Sequence, residues 1–80
     1  MKNILILASA SWCGPCNTLK QRLTAEGLTS RYTVKDFDES PTFFKNHDIK
    51  SVPRLLVFNP DGKHIDTISG IEEIFASIKK

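Results

Sequence analysis

No apolar run in the sequence approaches the ~18 residues that cross a bilayer, so no membrane-spanning helix is expected. Charge of either sign is not in excess. Eleven lysines and arginines against nine aspartates and glutamates leave a formal net charge of +2. No basic stripe interleaves with aromatic residues, so nucleic acid is not an expected partner. Repeats, linkers and low-complexity stretches are also missing, which leaves one domain over residues 1–80. Cysteine is scarce, with only two in the chain. A zinc site commonly draws four ligands from two pairs, and the second pair is absent. His47 and His64 lie seventeen residues apart and form no His-x₃₋₅-His pattern, so no metal is expected.

The composition that remains is ordinary for a globular chain: 40% hydrophobic and 25% charged in 80 residues. A core is possible at this size, though a small one. Lys2, Ile4–Leu7 and Ala8-Ser9-Ala10 faintly resemble an export signal with a cleavage site. The apolar stretch is shorter than the ~7–15 residues of such signals, and a buried first strand is the preferred reading. A cytoplasmic location follows as the expectation. In that reducing compartment a closely spaced cysteine pair is catalytic or metal-binding rather than a structural staple.

The pattern along the chain predicts β-α-β-α-β-β-α. Asn3–Ala8 carries a continuous apolar run and reads as a strand buried on both faces. A helix is predicted over Gly14–Glu26, with Pro15 in its first turn, where a missing N–H costs nothing. Cys16, Leu19 and Leu23 share one of its faces, and Gly27 is placed to end it. Arg31–Phe37 reads as an edge strand and Pro41–His47 as a short helix capped by Ser40. Phe43 and Phe44 supply that helix's core contact. Pro53–Asn59 is a central strand, Asn59-Pro60-Asp61-Gly62 a turn, and Lys63–Ser69 the antiparallel return. Ile71, Ile74, Phe75 and Ile78 mark the last helix, which Ser69 and Glu72 would open as a capping box. The expected architecture is α/β: one four-stranded mixed sheet, ordered 2-1-3-4, flanked by three helices.

The chemistry concentrates in Trp12-Cys13-Gly14-Pro15-Cys16, which uses both cysteines and the only tryptophan. A Cys-x-x-Cys between a strand and a helix reads as a dithiol–disulfide redox site. Thiol–disulfide exchange requires a thiolate. Cys13 stands at the helix start, where unpaired N–H groups and the positive dipole end favour an anion. Cys13 is therefore expected to be exposed and to attack. Cys16, one turn inside, is expected to be buried and to resolve the mixed disulfide. Gly14 and Pro15 set the shape and stiffness of the loop between them. His47 reads as a helix-end residue and His64 as part of a solvated hairpin face.

The pentapeptide at 12–16 resembles the active-site signature of the thioredoxin family letter for letter. A second segment, Ile49-Lys50-Ser51-Val52-Pro53 before an apolar strand, resembles that family's segment ending in a cis-proline. On its own, Pro53 would read as an ordinary trans proline opening a strand. The resemblance, which covers about Ile4 to the end, implies a thioredoxin-like fold and a Cys13–Cys16 redox disulfide. It implies that Pro53 faces the cysteines, that Val52 offers backbone groups to an extended substrate, and that Gly70 leaves substrate room. It also implies that Asp38 accepts a hydrogen bond from the Trp12 indole.

The departures from the family pattern are specific. The chain starts at the central strand, without the extra amino-terminal strand and helix, which brings it near glutaredoxin length. Leu7 stands where a buried aspartate is usual, and Val34 where its lysine partner is usual. Gln21 replaces a helix-kinking proline, and Arg54 follows Pro53 where threonine is common. Arg54 reads either as positive potential selecting acidic partners or as a solvated strand residue.

The leading expectation is a small, monomeric, cytoplasmic protein-disulfide reductase. It would hold no cofactor and draw electrons from a thioredoxin reductase-like, NADPH-dependent donor. The alternative is a glutaredoxin-like enzyme reduced by glutathione. A third reading is a non-enzymatic binding module with a vestigial redox loop, in which Cys13→Ser would leave function intact.

Overall fold

A computed structural model describes residues 2–80. The elements run β1 (Ile4–Ser9), α1 (Gly14–Ala25), a 3-10 turn at Thr29–Arg31, β2 (Thr33–Asp36), α2 (Pro41–Asn46), β3 (Arg54–Phe58), β4 (His64–Ser69) and α3 (Ile71–Lys79). The strands form one sheet ordered β2-β1-β3-β4. The expected element order and sheet order are both present.

Register follows from which side chains must be buried. β1 pairs parallel with β2, Leu7 opposite Val34, across the α1 crossover that a parallel pair requires. It pairs antiparallel with β3, Leu7 opposite Leu55, and β3 pairs antiparallel with β4, Leu55 opposite Ile68. Alternation along β1 and β3 then serves two cores. Leu7 and Leu55 join Leu19, Leu23 and Leu28 and α3's Ile74 and Ile78 on one face. Ala8, Leu56 and Phe58 meet Phe44 and Ile49 on the other, under α2. The result is three layers, with α1 and α3 on one side of the sheet and α2 on the other. β1 is buried only at its carboxyl end, beside the cysteines; Ile4 remains 45% exposed. β2 and β4, the two edges, are largely exposed.

The helix ends explain why the connections hold their shape. Gly27 has φ +70, its N–H bonds the Thr24 carbonyl at 3.0 Å, and the Leu28 N–H bonds the Leu23 carbonyl at 3.0 Å. That is a Schellman ending, closed by contact between Leu23 and Leu28. α2 ends the same way without glycine. Asp48 takes φ 54, its N–H bonds Lys45, the Ile49 N–H bonds the Phe44 carbonyl at 2.9 Å, and Phe44 packs with Ile49. This ending swings the chain back into the segment that faces the cysteines.

Two expected caps are absent. Ser40 makes no side-chain bond to α2; Pro41 at the first helical position already lacks one of the N–H groups a cap would satisfy. The Ser69–Glu72 capping box does not form. Ser69 closes β4, Gly70 at φ +92 caps α3, and Glu72 instead receives Arg22 of α1 at 2.6 Å.

Candidate functional site

The site sits where β1 ends and α1 begins. The Cys13 N–H bonds the Ala10 carbonyl at 3.1 Å, which closes a tight turn through Ser11 and Trp12. The Asn17 side chain donates to the Ser11 carbonyl at 3.1 Å and ties that turn to α1. Cys13 is the N-cap, in extended backbone geometry, and its Sγ accepts the Cys16 N–H at 3.2 Å. Serine, threonine, asparagine or aspartate ordinarily supply such a cap oxygen. Here sulfur does, so an unpaired helix N–H points at the atom on which negative charge would develop. Pro15 lies in the first turn, as the spacing predicts.

Both cysteines are free thiols. The expectation of an exposed Cys13 needs correction: it is only 7% accessible, because Ala10, Cys16 and Val52 pack around it. Its Sγ approaches the Val52 carbonyl oxygen at 3.9 Å. Cys13 reaches the surface through a groove of about 570 Å³ lined by Trp12, Phe37, Phe44, Ile49 and Val52. Cys16 is fully buried. Burial first, and the neighbouring Cys13 second, push its thiol up to about 11. The Ala10 backbone and the Ser9 side chain oppose that rise.

The Val52–Pro53 peptide is cis and stands against the cysteines through Val52. The Val52 N–H has no hydrogen-bond partner among the described residues. A backbone N–H left free beside a nucleophile is what an extended peptide needs in order to dock by strand addition.

The remaining expected site residues are placed as follows. The Trp12–Asp38 hydrogen bond does not form. The Asp38 N–H turns back to the Asp36 carboxylate at 2.9 Å, and Trp12, 65% exposed, meets Phe37 edge to face with centroids 6.1 Å apart. Arg54 donates to the Ser51 hydroxyl at 2.9 and 3.2 Å and does not line the groove. Gly70 does not line it either. Its positive φ is what favours glycine there. His47 closes α2 with its Nδ1–H donated to the Phe43 carbonyl at 2.9 Å; His64 meets it edge to face, ring centroids 5.8 Å apart. Among the described residues, no group of three or more histidine, cysteine or acidic side chains gathers to hold a metal.

Sequence reasoning missed Phe37, Phe44 and Ile49 as groove residues. Phe44 serves both the core under α2 and the groove wall. The available signal was Phe37, an aromatic at the end of an edge strand immediately before Asp38.

Comparison with known proteins agrees with this geometry. The thioredoxin family model matches residues 1–80. A thioredoxin of Staphylococcus aureus is 35% identical over 69 residues, covering 79% of this chain and 64% of that protein. The chain thus spans just under two thirds of the length of the curated relatives it matches. A poplar thioredoxin h superposes with TM-score 0.79 at 30% identity, over 98% of this chain and 74% of the other. Mitochondrial thioredoxin 3 of Saccharomyces cerevisiae, in its oxidised form, gives TM-score 0.77 at 28% identity, over 96% and 76%. Because the family model spans residues 1–80 and the fold superposes on solved thioredoxins along almost its whole length, the chain belongs to the thioredoxin family.

Proposed function

We propose that this chain is a thiol–disulfide oxidoreductase that reduces disulfides in proteins by cycling Cys13 and Cys16 between dithiol and disulfide. The observation that carries the reading is the Cys13 sulfur itself. It caps α1, accepts the Cys16 N–H, and opens onto an apolar groove beside the free Val52 N–H.

The Cys13 thiolate attacks one sulfur of a substrate disulfide, and the first substrate thiol leaves. A mixed disulfide links Cys13 to the second substrate sulfur. Cys16 then attacks the Cys13 sulfur, the substrate leaves reduced, and a Cys13–Cys16 disulfide remains. The groove favours an extended segment with an apolar or aromatic side chain, held by Trp12, Phe37 and Val52 during the first step.

The reading extends to a monomer in the cytoplasm, recharged by an NADPH-linked reductase of the thioredoxin reductase type. An insulin-reduction assay tests it in two arms, one supplying NADPH with thioredoxin reductase and one supplying glutathione with glutathione reductase. Turnover in the first arm, lost in Cys13→Ser, is expected. Turnover only with glutathione would reassign the donor. No insulin reduction by prereduced protein would overturn the reading.

A further inference from the structure

Ser9 is the last residue of β1 and is fully buried. Its Oγ has no hydrogen-bond partner, and it is the only buried side-chain nitrogen or oxygen so placed among the described residues. Folded proteins rarely leave a dry hydroxyl unpaired, and such exceptions call for a reason. The residue cannot turn away, because its carbonyl accepts the Phe37 N–H at 2.9 Å and its backbone pairs with Asp36 of β2.

The side chain shares the face of β1 occupied by Leu7, the face covered by α1. Cys16 begins the buried Cys16–Leu19–Leu23 stripe of α1, whose Leu19 and Leu23 pack in one cluster with Leu7, two residues before Ser9 on the same face of β1. Its packed neighbours are Ala10, Cys13 and Val52, which offer no acid or base other than the second thiol. Leu7 on β1 is apolar, and no carboxylate, imidazole or lysine from β1, β3 or α1 acts on the Cys16 sulfur. The Ser9 hydroxyl and the Ala10 backbone are the two groups that favour the charged form of Cys16. We infer that the Ser9 hydroxyl is the hydrogen-bond donor that stabilises the Cys16 thiolate during resolution of the mixed disulfide.

The inference rests on the dithiol cycle proposed above and assigns a residue to its second half. Cys16 gives its proton up to solvent, and its sulfur electron pair forms the Cys13–Cys16 bond. The bond between Cys13 and the substrate sulfur breaks. The substrate sulfur leaves with that electron pair and takes up a proton. Ser9 keeps its own proton throughout. It donates a hydrogen bond to the Cys16 sulfur as negative charge gathers there, the interaction for which its Oγ is otherwise unpartnered in the dithiol state.

The test uses an aromatic disulfide whose released thiolate is coloured, so that both halves of the cycle are read on the full chain. The first release reports attack by Cys13 and the second reports resolution by Cys16. In Ser9→Ala the first release should keep the parent rate. The second should slow about tenfold near neutral pH, and the gap should narrow as pH rises and thiolate forms without help. Ser9→Thr, which keeps the hydroxyl, should resolve at the parent rate. In a Cys13→Ser background, where Cys16 is the only thiol, Ser9→Ala should move the thiolate titration upward.

Because the deleted hydroxyl has no partner in the dithiol state, the Ser9→Ala unfolding midpoint should hold or rise. Second release at the parent rate across the pH range would overturn the inference. Equal slowing in Ser9→Ala and Ser9→Thr would also overturn it, since packing rather than the hydroxyl would then be responsible. Failure of the first release in the parent protein would instead overturn the dithiol cycle itself.

Discussion

Cys13 and Cys16 differ in chemistry because they differ in position by one helical turn. Cys13 caps the helix start by accepting the Cys16 N–H and opens onto the groove; Cys16 lies one turn inside and is fully buried. Cys16 sits at about 11 in the folded dithiol against an ordinary 9.0. The folded state therefore prefers the neutral thiol. That preference contributes its full stability below pH 9 and is lost as pH rises through about 11. The contribution is about 2–3 kcal/mol. Urea unfolding of the reduced protein should show this loss between those limits, and the loss should be smaller in Cys16→Ala, where only the half-buried Tyr32 phenol, also raised, remains of the two. The placement of the two cysteines, one at the helix start and one a turn inside, was legible from spacing alone. The depth of Cys13 was not, because Val52 reaches it from a segment thirty-nine residues away.

The elements were legible where their ends are written in local chemistry. Gly27, Pro15 and the Asn59–Gly62 turn each announce a boundary, and each lies where the sequence puts it. The two capping expectations failed for tertiary reasons. Glu72 is drawn to Arg22 on the neighbouring helix, an exposed pair that salt should weaken. Ser40 is made redundant by Pro41. The left-handed Asp48 carried no signal, since the Schellman ending it completes depends on Phe44 and Ile49 meeting under the sheet. Asp48 holds that conformation against the ordinary preference of a side chain. Asp48→Gly should raise stability by about 1 kcal/mol, read as a higher urea midpoint with an unchanged slope. An unchanged or lower midpoint would show that the Asp48 side chain supports the turn.

At the scale of the whole molecule, two cores share one thin sheet, and the cysteines lie where both end. Leu7 belongs to the larger core and is fully buried. The family's usual aspartate has no place there without its own partner. Val34, across from it on β2, is 40% exposed and apolar. Leu7→Asp should cost about 3–5 kcal/mol, measured by denaturant unfolding at neutral pH, because the carboxylate would be buried unpaired. Where the variant still folds, the pH dependence of turnover should change, since a base would then stand beneath Cys16. Sheet order, layers and the redox motif were all legible in the sequence. The groove was not, because Trp12, Phe37, Phe44 and Ile49 come from four segments that only the fold assembles.

The central claim is that Cys13 attacks and Cys16 releases. Trapping tests it most directly: Cys16→Ser is mixed with a disulfide-bonded protein, quenched with acid and mapped by mass spectrometry. The account predicts a stable one-to-one adduct through Cys13, absent in Cys13→Ser and short-lived in the parent chain. No adduct with Cys16→Ser, or an adduct through Cys16 in the Cys13→Ser protein at the same rate, would contradict it.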